Sequence, residues 1–270
     1  MPEPDQQTLP DQTDSDIQLC LLASGSRGNA LYLSDGDTNL LVDAGLSGKE
    51  IERRMALRDL RPQDLDAIVV SHEHSDHIQG VGVLARRFHL PIFMSPGTFE
   101  AAHGQLGKIA KMEAFGCGES FPIGRWTIRP FATSHDAQDS AGFTFQQNGL
   151  KIGLATDLGA ATALVREHLK ECQGLILEAN HDLEMLETGP YPWHLKQRIK
   201  SRLGHLSNVA SRDLIEELLH ERLEQIILAH LSQTNNTPEK ALDIVAPVLN
   251  NHRARLSVAV QDTPTRIFHL

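Results

Sequence analysis

The most concentrated set of metal-ligating side chains lies in the segment 72-HEHSDH-77. Within six residues it holds the imidazoles of His72, His74 and His77 and the carboxylate of Asp76. Histidines this crowded repel one another when they are protonated, and they gain little from one another when they are neutral. Imidazole and carboxylate suit Zn²⁺, Mn²⁺ or Fe, so a divalent metal would supply the compensating free energy. The segment therefore predicts a metal site, and the alternative is a histidine-rich loop in solvent.

Three further candidate ligands stand where a predicted strand stops and a loop begins. They are His135 in Ser-His-Asp, Asp157 in Ala-Thr-Asp-Leu-Gly and His230 in Leu-Ala-His-Leu. Strand ends gather side chains from distant parts of a chain around one rim, although any one of these residues alone is more often structural. Together with the segment 72–77 they form a set of seven, which suffices for two metal ions.

The elements that must position these residues alternate between strands and helices. Apolar runs bounded by turn residues predict strands, and apolar residues at helical spacing predict helices. The predicted strands cover 17–24, 29–34, 38–45, 66–71, 91–95, 125–135, 142–147, 150–157, 174–180, 225–230 and 255–260. The predicted helices cover 48–60 behind a Ser47 cap, about 78–88, short stretches from 98 and from 160, 183–203, 208–222 and 238–249. Asn148 and Gly149 predict a type I′ hairpin turn, because both central residues of that turn need positive φ.

Strand-rich runs in both halves of the chain predict an α/β protein of two sheets covered by helices. No repeat, Gly/Ser linker or long single-sign charge block divides residues 17–270, so we expect one domain there. Residues 1–16 hold five acidic side chains, no basic one and three prolines, which predicts a disordered acidic tail.

Composition excludes several classes of protein. The chain has 270 residues, of which 40% are hydrophobic and 22% charged, which excludes wholesale disorder, collagen and coiled coil. A net charge of −10 argues against a wholly basic nucleic-acid coat. Because the apolar runs are short and no leader, P-loop or dinucleotide fingerprint is present, we expect no membrane and no nucleotide cofactor. The distant cysteines Cys20, Cys117 and Cys172 predict small buried hydrophobic residues and a cytoplasmic protein.

The order His72-x-His74-x-Asp76-His77, followed by His135, Asp157 and His230, resembles the metallo-β-lactamase superfamily. The resemblance covers residues 17–260 and implies an αββα sandwich, with two mixed β-sheets face to face and helices outside. Five segments resemble the bacterial WalJ/YycJ-like subgroup of DNA-processing metallohydrolases. They are 24-SGSRGN-29, 42-VDAGLSGKEIE-52, 178-EANHD-182, 204-GHLSN-208 and 230-HLSQTNNTPEKA-241.

The resemblance implies a role for each of the seven candidate ligands and two divalent ions per chain, Zn, Mn or Fe. His72, His74 and His135 would hold one ion, Asp76, His77 and His230 would hold the other, and Asp157 would bridge them. A hydroxide shared by the two ions would then attack a phosphodiester in line. The ligand set contains no cysteine, which disfavours the β-lactam-hydrolysing classes whose second site uses a thiolate.

Four residues are candidates for catalysis beside the metals. Asp76 is one of them, and Glu178 resembles a carboxylate that pairs with a downstream histidine to relay a proton. His205 or His181 would serve as the general acid for the departing sugar oxygen. The alternative for His205 is simple packing beside the helix 208–222, with Ser207 or Asn208 as its cap.

Substrate contacts are predicted from charge and from position. Lys196, Arg198, Lys200 and Arg202 form a basic run without an acid, which either follows a phosphate backbone or is a solvated helix face. Further candidates for substrate contact are Ser26, Asn29, Asn180, Ser207 and Asn208.

The favoured function is a two-metal phosphodiesterase acting on DNA as an exonuclease, with 5′–3′ polarity. The first alternative is hydrolysis of a small phosphodiester, a thioester or a lactone, because the superfamily includes such enzymes. The second is a mainly regulatory protein linked to cell-wall two-component signalling. The chain lacks room for the large nucleic-acid-gripping insertion of DNA-repair relatives, so it would grip DNA with surface residues alone.

Overall fold

The structure is a computed structural model that describes residues 17–270. The predicted disordered tail, residues 1–16, lies outside the described residues. Two seven-stranded sheets account for the strands within 17–270.

The first sheet has the order β14-β1-β2-β3-β4-β5-β6. Its strands are β1 (Gln18–Ala23), β2 (Ala30–Ser34), β3 (Asn39–Val42), β4 (Ala67–Val69), β5 (Ile92–Met94), β6 (Met112–Ala114) and β14 (Phe268–His269). Pairing is antiparallel from β14 to β3 and parallel from β3 to β6.

The second sheet has the order β13-β12-β11-β10-β9-β8-β7. Its strands are β7 (Phe121–Ile123), β8 (Trp126–Ala132), β9 (Ala141–Gln147), β10 (Leu150–Ala155), β11 (Gly174–Glu178), β12 (Gln225–Ala229) and β13 (Arg255–Val258). Pairing is antiparallel from β7 to β10 and parallel from β10 to β13. The inner parallel strands β11 and β12 are near-continuous apolar runs and are fully buried, as expected of strands covered on both faces.

The helices of residues 17–270 lie outside the two sheets. They are α1 (Gly48–Ala56), α2 (Ser75–Ile78), α3 (Val81–Phe88), α4 (Pro96–Leu106), α5 (Ala163–Leu169), α6 (Leu183–Thr188), α7 (Trp193–Lys200), α8 (Asn208–Leu218) and α9 (Pro238–Val245). Two 3₁₀ turns, Pro62–Asp64 and Ala246–Leu249, complete the regular structure. Each helix of the described chain is too short or too polar to cross a lipid bilayer.

The core is layered. Between the sheets, Leu33 and Val42 of the first sheet pack in one buried cluster with Trp126, Phe143 and Phe145 of the second. Two outer clusters join the first sheet to α1, α3 and α4, and the second sheet to α5, α8 and α9. The order helix, sheet, sheet, helix confirms the predicted αββα sandwich.

Several local predictions are also confirmed. Ser47 caps α1 by accepting a hydrogen bond from the Glu50 amide, and Ile51 and Met55 are fully buried on one face. Asn148 and Gly149 have φ of 48° and 78°, as the predicted hairpin turn requires.

Other predictions were wrong. The helix predicted over 183–203 is two helices, α6 and α7, because Gly189 and Pro190 interrupt it and Pro192 then starts the next one. The short strands β6, β7 and β14 were not predicted, since two or three residues carry no clear alternation. Of the cysteines, Cys20 and Cys172 are buried as predicted, but Cys117 is exposed.

Candidate metal centre

Three histidines from distant segments converge at the rim between the sheets. His72 and His74 follow β4, and His135 follows β8. The His74 Nδ1 atom lies 3.2 Å from His72 Nε2 and 3.3 Å from His135 Nε2. These nitrogens are close enough to share one metal ion. The fold therefore brings together the first of the two predicted ligand sets.

The second predicted set converges beside the first. Asp76 and His77 lie on α2, and His230 follows β12. The Asp76 Oδ2 atom lies 3.6 Å from His77 Nε2 and 3.7 Å from His230 Nε2. Gly45 makes the approach of α2 possible, since a Cβ atom there would lie 1.6 Å from the Asp76 carbonyl oxygen. The three donor atoms again lie within reach of one ion.

Asp157, just after β10, faces both sets. Its Oδ2 atom is 3.2 Å from His77 Nε2 in the second set, and its Oδ1 atom is 3.7 Å from His135 Nε2 in the first. The side chain is buried. This placement of the two carboxylate oxygens is the geometry that a bridging ligand needs.

Asp43 and Ser71 orient the histidines from behind. Asp43 Oδ2 accepts from His77 Nδ1 at 2.7 Å and from the Ser71 hydroxyl at 2.8 Å. Because that hydroxyl donates to Asp43, it accepts from His72 Nδ1, which is 2.9 Å away. Both rings therefore carry their proton on Nδ1 and direct the Nε2 lone pair into the site, as metal-binding histidines do.

Glu178, at the end of β11, orients two histidines from the other side of the metal centre. Its Oε1 atom accepts from His205 Nδ1 and from His230 Nδ1, each at 2.8 Å. Its Oε2 atom accepts from the Leu158 and Leu206 amides. Burial alone would raise the pKa of Glu178, but His205 and His230 hold it at about 2. The carboxylate is thus ionised, fully hydrogen-bonded and inaccessible to a substrate.

The pKa shifts of the other buried groups show which side chains of the metal centre carry charge. Burial lowers the pKa of His72 well below its ordinary value, which leaves the ring neutral and able to coordinate. Burial alone would lower the pKa of His230, but Asp157, Asp76 and Glu178 raise it to about 10. Burial alone would raise the pKa of Asp157, but His230 and His77 hold it well below its usual range. The second set thus favours a positive charge between its nitrogens and carboxylates, either a proton or a metal ion.

Unpartnered atoms show that the site suits a metal cation. His230 Nε2 and Asp157 Oδ2 are buried without a hydrogen-bond partner among the described residues. His230 Nδ1 donates to Glu178, so Nε2 is the nitrogen that faces the Asp76 carboxylate, 3.7 Å away. The raised pKa of His230 favours a proton on Nε2, and a divalent ion that binds there replaces that proton. The donors are all imidazole nitrogen or carboxylate oxygen, which fits Zn²⁺, Mn²⁺ or Fe.

The two candidate general acids lie in different surroundings. His205 is 21% exposed in its side chain and lines a cavity beside the centre. His181 is 2% exposed, its Nδ1 atom has no hydrogen-bond partner among the described residues, and burial lowers its pKa to about 4. The geometry thus favours His205 as the residue that reaches a substrate.

Of the predicted substrate contacts, Ser26 and Asn180 line the same cavity, whereas three others are occupied within the protein. Asn29 is buried, with its amide nitrogen 3.0 Å from His77 Nε2. Ser207 caps α8 through the Ala210 amide, and Asn208 exchanges hydrogen bonds with the Asn236 amide. All three residues therefore have partners within the protein, and Ser207 caps α8 as the alternative for this segment predicted.

The cations of the basic run, Lys196, Arg198, Lys200 and Arg202, are partly engaged in contacts within the protein. Lys196 donates to the carbonyls of Glu187 and Gly189, and Lys200 pairs with the Glu187 carboxylate at 2.7 Å. Arg198, 60% exposed, pairs with Asp136 at 2.6 Å beside the centre and lines the cavity. The Arg202 side chain is exposed and has no partner among the described residues. Lys196 and Lys200 therefore fasten α7 to α6, Arg198 is held by Asp136 at the cavity, and Arg202 is left exposed.

Sequence reasoning missed several residues that the structure brings to the site, among them Asp43, Ser71, Asp136 and Tyr191. Asp43 directly follows β3, but the predicted strand ran on to residue 45, so the strand-end signal did not mark it. Asp43, Asp157 and His230 share a positive φ, at 58°, 54° and 55°. Asp136, which holds Arg198, follows the predicted strand 125–135 and could have been found by the strand-end signal, whereas Tyr191, which lines the cavity, has no comparable signal.

A family model described as a beta-lactamase superfamily domain matches residues 38–231, and the chain belongs to that superfamily. The chain is 42% identical over 225 residues to a Streptococcus pneumoniae protein named exodeoxyribonuclease WalJ, covering 82% of this chain and 84% of that one. It is 38% identical over 235 residues to a Bacillus anthracis protein named exodeoxyribonuclease YycJ, covering 86% and 89%. The predicted superfamily and subgroup are thereby confirmed.

A solved structure supports the fold. The metallo-β-lactamase fold protein YhfI from Bacillus subtilis matches with a TM-score of 0.71 at 19% identity, covering 93% of this chain and 99% of that one. The fold and the histidine and aspartate clusters together identify a divalent-metal protein.

Proposed function

We propose that this protein is a metal-dependent exonuclease that shortens DNA strands. The observation that carries the proposal is the buried Asp157 carboxylate, which faces two adjoining ligand sets made only of nitrogen and oxygen donors. The relatives named exodeoxyribonuclease support the same reaction and DNA as the substrate.

The geometry of the site supports an assignment of the metal ligands. His72, His74 and His135 would hold one ion, Asp76, His77 and His230 a second, and Asp157 both. When bound, such a pair of divalent ions activates water and stabilises the charge of an in-line displacement at phosphorus. Zn²⁺, Mn²⁺ and Fe all match these donors.

His205 would donate the proton that the departing sugar oxygen requires. Glu178 fixes its orientation, because the carboxylate accepts from Nδ1 and leaves Nε2 for the substrate side. Glu178 does not touch the substrate itself, since both of its oxygens are used within the protein. His181 is assigned no proton transfer, because its low pKa leaves it unprotonated at neutral pH.

The cavity beside His205 would receive the strand. Ser26 and Asn180 offer hydrogen bonds on one side, and Arg198 offers positive charge on the other. We place the enzyme in the cytoplasm, which agrees with three cysteines that form no disulfide.

The proposal is tested with end-labelled DNA strands and added Mn²⁺ or Zn²⁺, alongside bis-p-nitrophenyl phosphate, a thioester and a lactone. We expect stepwise shortening of DNA from the 5′ end, hydrolysis of the chromogenic diester, and no turnover of the other two. Cleavage of the thioester or lactone with intact DNA would contradict the proposal.

The role of His205 has its own signature. His205→Gln should lower kcat on DNA by about 10²- to 10⁴-fold, the usual contribution of a general acid. The loss should be far smaller with the nitrophenyl diester, whose leaving group departs without a proton. His194→Gln, a change of an exposed histidine on α7, is the matched control and should leave both rates near wild type. Equal losses on both substrates for His205→Gln would show that it acts only structurally.

A further inference from the structure

The cavity beside the metal centre has two chemically different sides. It has a volume of about 210 Å³ and is lined on one side by Ser26, Asn180 and Ser232. On the other side lies an apolar wall, which we define as Tyr191, Leu195 and Ile199. Arg198 lies on the same side of the cavity as the apolar wall. His205 lies beside the metal centre, so the wall begins close to where the reacting phosphate would lie.

The apolar wall is free of the protein core. Leu195 and Ile199 are partly exposed, and neither belongs to a hydrophobic cluster of the described chain. Leu195, Arg198 and Ile199 share one helix face because they are three and four residues apart. Tyr191 precedes the helix, is partly exposed, and extends the same surface. An aromatic ring beside two aliphatic side chains and one arginine fits a flat apolar group joined to an anion.

We propose that the apolar wall binds the base of the terminal nucleotide of a DNA strand, with the Tyr191 ring stacked on it. This proposal rests on the proposed nuclease function. Arg198, which pairs with Asp136 at 2.6 Å in the same cavity, would exchange that partner for the adjoining phosphate, and His205, which also lines the cavity, lies beside the metal centre. The proposed site takes one unpaired base against the Tyr191 ring, so on this proposal the enzyme acts on strands whose end is single.

The experiment compares an ordinary single strand with strands that carry one abasic nucleotide at the 5′ or the 3′ end. Tyr191→Ala should raise KM for the ordinary strand by about 5- to 150-fold, the range for loss of one base–aromatic contact. It should have little effect with the strand that is abasic at the degraded end, because that strand has no base to stack. Tyr191→Phe should restore wild-type KM, since it keeps the ring.

Trp193→Ala is the matched control. Trp193 is 74% exposed on the same helix. It lies two residues before Leu195, which places it about 200° around the helix from the wall. This variant should keep the wild-type difference between the ordinary and the abasic end. An equal rise in KM for both strands in Tyr191→Ala, or no rise in either, would overturn the proposal.

A binding measurement separates this proposal from the nuclease function. Phosphorothioate versions of the same strands, which resist cleavage, are titrated by fluorescence anisotropy. Weaker binding of the end-abasic strand without any DNA cleavage would support the base site and contradict the nuclease. DNA cleavage with equal binding of all strands would support the nuclease and contradict the base site. No binding of any strand would contradict both.

Discussion

Asp157 is the residue that faces both halves of the candidate metal centre. It is buried, and a positive φ of 54° directs its side chain back between the two ligand sets. A non-glycine residue in this conformation costs about 1–3 kcal/mol and persists where the surroundings hold it in place. Asp43 and His230 share the conformation, so strain is concentrated around the same rim.

We predict that Asp157→Ala lowers kcat/KM by at least about 100-fold, because it removes several kcal/mol of metal-supplied stabilisation. The loss should exceed that of any single change outside the seven ligands. The measurement is steady-state hydrolysis of the chromogenic diester at saturating Mn²⁺. A kcat/KM close to the wild-type value would be fatal to the bridging role.

We also predict that Asp43→Asn weakens metal binding by about 10- to 100-fold, the usual cost of losing a carboxylate behind a histidine ligand. Its amide would no longer accept equally from His77 and Ser71. Competition with a chromogenic chelator measures this affinity. Asp66→Asn is the control, since Asp66 lies beyond the opposite end of β3 and accepts only from the Asn39 amide. Equal affinities of the two variants would show that Asp43 does not orient the ligands.

At the scale of elements, α6 and α7 form an arm beside the centre. The arm is fastened by Lys196 and Lys200, while Arg198 pairs with Asp136 at the cavity and Arg202 is exposed. The sequence showed four equivalent cations on one predicted helix. The four cations differ in their contacts because the chain turns at Gly189 and Pro190 between α6 and α7. Glu187 of α6 then accepts from Lys196 through its carbonyl and from Lys200 through its carboxylate.

We predict that Arg198→Gln and Arg202→Gln each reduce the slope of log Kd against log salt for DNA by about one. Lys196→Gln should change the slope little, because its ammonium is occupied by two carbonyls. The slope is obtained by measuring the Kd of a phosphorothioate strand at salt concentrations from about 50 to about 200 mM. If all three variants keep the wild-type slope, α7 is only a solvated face.

The longer helices and strands could be predicted because each contains enough residues to show a clear apolar spacing. The apolar spacing of α1 and its serine cap suffice to define it, and the turn chemistry of Asn148-Gly149 defines a hairpin. The short strands β6 and β14 could not be predicted, since they are stabilised by neighbours brought close only in the folded chain. The metal ligands were predicted from residue type and strand ends, whereas Tyr191 depends on how the α6–α7 arm packs.

At the scale of the whole molecule, the last residues of the chain close the first sheet. β14 pairs with β1, and Gln261 accepts from the Arg27 amide and donates to the Gly28 carbonyl. Arg54 of α1 is buried and donates to the carbonyls of Leu22 and Gln261. Its charge is balanced by Glu50 at 2.8 Å. The loop that carries Ser26 is therefore held by both ends of the described chain.

We predict that Glu50→Gln lowers the free energy of unfolding at pH 7 by about 1–3 kcal/mol, since it leaves the buried Arg54 without its anion. Hydrogen bonds from Arg53 and Arg54 lower the pKa of Glu50 to about 2. Its contribution is therefore present above its ordinary pKa of 4.5 and is lost as the pH falls through about 2. Urea unfolding at pH 7 and pH 3 should show the difference from wild type shrinking at the lower pH. Glu167→Gln, which breaks an exposed pair, is the control, and a difference independent of pH would contradict this account.

The central claim is that seven side chains from both sheets build one two-ion centre. Elemental analysis of the purified protein, loaded with Zn²⁺ or Mn²⁺ and freed of excess metal, tests it most directly. We predict two ions per chain in the wild type and one in His77→Ala or His72→Ala, each of which disables a different ligand set. One ion or none in the fully loaded wild-type protein would contradict the claim.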